Sequence, residues 1–127
     1  MKISNEVLNR LINNSNKQNK YRNKKVFVGS ELFDSKKEYN RFIQLQMLEK
    51  LGKIKNLQRQ VKFELQPSFK YNEKTIRAIN YIADFVYEQN GERIVEDVKS
   101  EATRKDKVYL IKKKMLLYVF NIEIKEF

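Results

Sequence analysis

Asp84 and Asp97 flank an Asn90-Gly91 dipeptide set between two apolar runs. That dipeptide is the strongest short-range hairpin signal. A two-residue type I′ loop makes facing residue numbers sum to 181, so Val86 faces Val95, Glu88 faces Arg93 and Gln89 faces Glu92. The Glu88/Arg93 pair of opposite charges helps fix this register. Continued outward, the register sets Asp84 opposite Asp97 and Ile82 opposite Lys99. Side chains alternate with period two. Ile82, Val86 and Val95 are thus expected on one face with Asp84, Asp97 and Lys99, and Ala83, Phe85, Tyr87, Ile94 and Val98 on the other. Both faces are largely apolar, which places the hairpin in the middle of a sheet.

Two carboxylates directly opposite one another, with Cβ atoms about 5 Å apart, repel. In a half-buried setting the repulsion must be neutralised. Lys99 offers one positive charge and a divalent cation offers two, so the pair reads as a Mg²⁺ site, with Mn²⁺ expected to substitute. The competing reading is a lysine-bridged salt cluster without a metal, an arrangement seldom kept for stability. The chain has no Cys and no His. Zinc fingers, disulfides, thiolate chemistry and His general bases are therefore excluded. Any proton transfer falls to carboxylates, Lys, Tyr or water.

The charge balance indicates a partner. Lys and Arg total 27 against 16 Asp and Glu, a net charge of +11 in 127 residues. Such an excess points to a polyanion, nucleic acid first and an anionic membrane surface second. No apolar run is long enough for a transmembrane helix, and the N-terminus lacks a signal peptide's apolar stretch, so a cytoplasmic protein is expected. Two basic runs stand out. "KQNKYRNKK" carries Lys17, Lys20, Arg22, Lys24 and Lys25 with no acid, and "RKDKVYLIKKK" ends in Lys112, Lys113 and Lys114. Each is a candidate set of phosphate contacts or a solvated face.

The elements that position these groups follow from capping and periodicity. Residues 1–14 fit a short amphipathic helix, followed by an Asn- and Lys-rich arm. The division is an N-terminal segment and arm over 1–25 and a folded domain over 26–127. "KVFVGSELF" predicts a hairpin turning at Gly29-Ser30. Ser35 caps a helix, Glu38 completes a capping box, and Gly52 ends it. A strand spans about 57–65 and stops at Pro67. "TIRAINYIADFVYEQ" is read as one long strand and "RIVEDVKS" as its return. A helix over about 103–120 is expected to be capped by Thr103 and Asn121, with Val108, Ile111, Met115, Tyr118 and Val119 on its packing face. "IEIKEF" closes as a strand. Glu96 falls on the opposite face from Asp97 and is read as a structural or a surface residue. Tyr21, Tyr71, Tyr81 and Tyr109 are aromatics able to stack on bases, with core packing the commoner role.

"ADF" at 83–85 and "EDVK" at 96–99 resemble the signature of the PD-(D/E)XK nuclease superfamily. In that pattern an Asp opens the motif, and an acid, any residue and a Lys follow on the next strand. Asp84, Asp97 and Lys99 match in turn, while Ala83 stands in place of the motif's proline. "FDSKKE", "LEKLGKI" and the closing "IEI" look like small phage-encoded nucleases, and more loosely like phage enzymes that resolve Holliday junctions. The resemblance covers about 95 residues and excludes the arm. It implies an α/β fold with a restriction-endonuclease-like core, ordered α-β-β-β-α-β, a mixed sheet flanked by helices. It also implies a Mg²⁺-dependent phage or prophage endonuclease acting on branched DNA in a bacterial host cell, and a homodimer for paired cuts. Asp84, Asp97 and the Val98 carbonyl would hold the ion, and Lys99 would act on the attacking water. Glu38 matches the family's acid on the first helix, beside its capping role. Gln60 reaches the site from the neighbouring strand or is an ordinary polar strand residue. The alternative function is a non-catalytic nucleic-acid-binding or recombination or packaging accessory protein on a nuclease-like fold.

Overall fold

In chain order, a computed structural model describing residues 25–28 and 31–127 gives β1 (Val26–Val28), β2 (Glu31–Phe33), α1 (Lys36–Lys50), β3 (Lys55–Gln66), β4 (Phe69–Tyr71), β5 (Lys74–Ile76), β6 (Ile79–Gln89), β7 (Glu92–Asp97), α2 (Glu101–Arg104), α3 (Lys107–Phe120) and β8 (Ile124–Glu126). The fold is mixed α/β. The chain divides into two units, Met1–Gln44 and Leu45–Phe127.

In the first unit β1 and β2 pair antiparallel, with Val26 opposite Phe33 and Val28 opposite Glu31. Val26, Val28, Phe33, Tyr39 and Phe42 are buried. The Phe33 ring meets Tyr39 edge-on at 5.1 Å and Phe42 at 5.4 Å. The helix begins as its residues require. The Glu38 N–H donates to Ser35 Oγ at 3.1 Å, and Glu38 Oε2 accepts from the Asp34 N–H at 3.0 Å. Its far end is a Schellman turn: the Gly52 N–H donates to the Glu49 carbonyl and the Lys53 N–H to Leu48, with Gly52 at φ 74°. The amphipathic segment and Lys17, Lys20, Arg22 and Lys24 lie outside the described residues, as do Gly29 and Ser30. Lys25 is exposed.

The second unit is built on a four-stranded mixed sheet in the order β3-β6-β7-β8. β3, β6 and β7 run antiparallel in turn, and β8 lies parallel to β7. A parallel neighbour requires a crossover, which α2 and α3 supply. β6 and β7 occupy the centre, as their two apolar faces predict. The core groups Phe63, Leu65, Tyr81, Ala83, Val86, Val95, Tyr109, Leu116 and Ile124. Ala83 therefore packs with Val86 and Val95, where strict alternation puts it on the opposite face; the regular β6–β7 ladder ends at Phe85↔Glu96, short of Ala83.

Three expectations need correction. The run read as one strand over "TIRAINYIADFVYEQ" is two strands, β5 and β6. β5 pairs with β4 as a separate two-stranded ribbon. Its turn residues, Asn72 and Glu73, both take positive φ. The second helix is two helices. Ser100 caps the short α2 through the Thr103 N–H, at 3.2 Å. Asp106 caps α3 through the Tyr109 N–H, at 3.0 Å. Thr103 therefore lies inside α2, while Asn121 does end α3, at φ 55°. The packing face of α3 is also different. Tyr109 and Leu116 are buried, whereas Val108, Ile111, Tyr118 and Val119 are exposed, Tyr118 at 92%. α3 is apolar on most of its circumference, so periodicity does not choose the face.

Candidate functional site

The Asn90-Gly91 turn forms as required, with φ of 53° and 78°. The register is the one counted from it: Gln89↔Glu92, Glu88↔Arg93, Tyr87↔Ile94, Val86↔Val95 and Phe85↔Glu96. There the regular ladder stops. At the next position the two acids replace it. The Asp84 N–H donates to Asp97 Oδ1 at 2.7 Å, and the Val98 N–H donates to Asp84 Oδ2 at 2.9 Å. Each carboxylate thus binds backbone of the opposing segment, and the pair is locked together by main-chain donors. The strand end is held from the other side as well. The Phe127 N–H donates to the Asp97 carbonyl at 2.8 Å, and the Lys99 N–H to the Phe127 carbonyl at 3.2 Å.

Asp97 is fully buried and Asp84 nearly so. Among the described residues, Asp97 Oδ2 accepts no hydrogen bond. Its nearest cation is Lys99 Nζ, 3.8 Å away, beyond hydrogen-bond length. Burial pushes the Asp97 carboxyl up to about 6, against the downward pull of Lys99 and of the Asp84 N–H, with Glu126 adding to the rise. A buried carboxylate oxygen without a donor is costly unless a positive charge meets it.

Gln60 reaches Asp84 from β3. Its Nε2 donates to Asp84 Oδ1 across 3.4 Å, a long bond. Gln60 holds φ of 52° inside a strand, a conformation rare for a residue with a Cβ. The strand is thereby irregular where it passes the acid pair. Of the two readings of Gln60, the site-adjacent one matches this geometry.

Lys99 is fixed by a group that the sequence did not assign to the site. Its Nζ lies 4.9 Å from the centre of the Tyr109 ring, a cation–π distance. The Tyr109 hydroxyl donates to Glu126 Oε2 at 2.5 Å. Burial raises the Tyr109 phenol far above its ordinary value, and the Glu126 bond raises it further; it stays protonated. The same bond holds Glu126 below the usual carboxylate range. Lys113 completes the cluster, 3.4 Å from Glu126 Oε1 and 6.0 Å from the Tyr109 ring. Lys113 is thus engaged within the fold. Lys112 is half-buried and Lys114 exposed, and three consecutive helix positions point in three directions. Tyr109 and Glu126 meet only because β8 returns parallel to β7 with Asp97 opposite Glu126, a pairing that no local signal encodes.

Glu38 sits buried at the start of α1, where its carboxylate caps the helix. Glu96 is buried and accepts from the Tyr87 hydroxyl at 2.7 Å, which fits the structural and not the surface reading of it. Among the described residues no helix is long and apolar enough to cross a membrane.

Residues 18–126 match the family model described as a protein of unknown function, DUF1064, and the chain belongs to that family. Searches of curated proteins and of solved structures return no match.

Proposed function

We propose that this DUF1064 protein is a Mg²⁺-dependent endodeoxyribonuclease of the PD-(D/E)XK type, acting on branched DNA. The observation that carries the reading is the Asp84/Asp97 pair beside Lys99, with the buried Asp97 Oδ2 lacking a donor among the described residues. The donor set is all oxygen: Asp84, Asp97 and the Val98 carbonyl. It suits a hard cation such as Mg²⁺ and not a soft one. The reading is supported by the mixed sheet and by an element order from α1 to β8 that follows the implied one when the β4–β5 ribbon is set aside and α2 and α3 are counted as one helical segment.

A divalent ion bound there would supply Lewis-acid polarisation of a phosphoryl oxygen and a more acidic water. The remaining work belongs to the chain. Asp84 and Asp97 are held by main-chain N–H groups, so their oxygens are placed before any ligand arrives. Lys99 presents a fixed ammonium toward the negative charge that develops on the phosphate during hydrolysis. The Tyr109 ring limits where that ammonium can go. Glu38's part in the chemistry rests on the resemblance. The net charge of +11 favours approach to the DNA backbone, without reading its sequence.

The test is cleavage of linear, single-stranded, flapped and four-way-junction DNAs by the full-length protein, in Mg²⁺ and in EDTA. The reading expects cuts only in Mg²⁺, strongest on branched substrates, and their loss in Asp84→Asn. Binding of every substrate without any Mg²⁺-dependent cut would make the protein a non-catalytic binder.

A further inference from the structure

The β4–β5 ribbon contributes no residue to the core cluster of the second unit. All six of its strand residues are exposed, and among the described residues it pairs with no other strand. Two-stranded ribbons are marginal by themselves, and this one spends its apolar side chains on solvent. Phe69 is 47% exposed and Tyr71 65%. The register pairs Phe69 with Ile76 and Tyr71 with Lys74, so these four share one face. Lys70 lies on the other face, and Arg77 follows the ribbon. Lys70, Lys74 and Arg77 stand against one acid, Glu73.

Exposed aromatic faces interleaved with cations match one ligand chemistry well. Unpaired bases stack on aromatic rings whatever their identity, while lysines and arginine meet the phosphates. An intact duplex offers no free base face to a ring on a ribbon. A second copy of the chain is disfavoured as occupant, because both partners would bring the same excess of positive charge to the contact.

We infer that the β4–β5 ribbon engages unpaired bases of a DNA substrate, with Phe69 and Tyr71 as the stacking side chains. The inference rests on the reading of the protein as a DNA enzyme and specifies the substrate class: DNA with a single-stranded stretch at or beside the cut.

The chain contains no Trp, so Tyr71→Trp installs a single indole at the ribbon. In EDTA, an oligothymidylate should quench its fluorescence and a blunt duplex should not. In the Phe69→Ala/Tyr71→Ala variant, affinity for oligothymidylate should fall about tenfold or more for each stack removed, while duplex affinity and the melting temperature stay as in the parent. Unquenched emission together with unchanged single-strand affinity overturns the inference. So does an emission change that grows with protein concentration in the absence of DNA, which marks self-association. These measurements need no cleavage. Normal single-strand binding by the double variant, alongside Mg²⁺-dependent cleavage by the parent, rejects the ribbon and keeps the nuclease. Weakened single-strand binding with no cleavage by the parent does the reverse.

Discussion

Two hairpins in this chain use the same turn and reach opposite ends. Asn72-Glu73 and Asn90-Gly91 both place two left-handed residues between antiparallel strands. The β6–β7 hairpin lies at the centre of the four-stranded sheet and buries three carboxylates, the facing Asp84 and Asp97 and the tyrosine-bonded Glu96. The β4–β5 ribbon stands outside that sheet and exposes two aromatic rings. In each, the side chains contradict their surroundings: charge is inside, and apolar surface is outside. Stability alone explains neither. Both inversions fit the ligands proposed above, a cation at one hairpin and unpaired bases at the other.

The comparison breaks most easily at Lys99. If the central hairpin is catalytic, Lys99→Ala keeps both carboxylates and metal binding but loses about 10²–10³ in single-turnover cleavage rate. Saturating Mg²⁺ should not restore that rate. If Lys99 only neutralises the acids, its removal should lower the melting temperature of the metal-free protein, and Mg²⁺ should restore both stability and rate.

The pH dependence of stability sharpens the buried side of the comparison. The Asp97 carboxyl is raised from its ordinary 3.8 to about 6, so the folded protein binds the proton more tightly than the unfolded chain. The resulting stabilisation is fully present below about pH 4 and is lost as pH rises through 6. At 1.36 kcal/mol per unit the difference is about 3 kcal/mol. Denaturant midpoints in EDTA should show this component weakening from pH 4 to 7 in the parent and absent in Asp97→Asn. An unchanged profile in the variant would assign the pH dependence to other groups.

The smallest effects test the turns themselves. Gly91→Ala puts a Cβ at φ 78° and should cost about 1–2 kcal/mol, with the central hairpin's register at stake. Glu73→Gly removes a Cβ at φ 63° and, set against the backbone entropy that glycine adds, should change stability by less than about 1 kcal/mol. Thermal melts of the two variants measure the contrast.

What the sequence discloses follows the range of the signals. The Asn90-Gly91 register, the Ser35 and Glu38 cap and the Asn121 terminus are local, and each is read from a few residues whose backbone demands are narrow. The β4–β5 ribbon is hidden because Asn72-Glu73 lacks the glycine that marks a tight turn. The packing face of α3 is ambiguous because Val108, Ile111, Tyr118 and Val119 offer as good a stripe as Tyr109 and Leu116. The Tyr109–Glu126 support of Lys99 depends on a crossover register that no neighbour along the chain announces. The acid pair is legible for a different reason: two facing carboxylates in an apolar hairpin are a conflict that the order of residues alone reveals.

The most direct measurement of the central claim is calorimetric titration of Mg²⁺ into the metal-free protein and into Asp97→Asn, each at pH 5 and at pH 7.5. The acid pair predicts saturable binding by the parent at pH 7.5. Binding should weaken at pH 5, where a proton occupies Asp97 and competes with the ion, and should be lost or greatly weakened in the variant at both. Equal Mg²⁺ binding by parent and variant, or none by the parent at pH 7.5, would contradict the account.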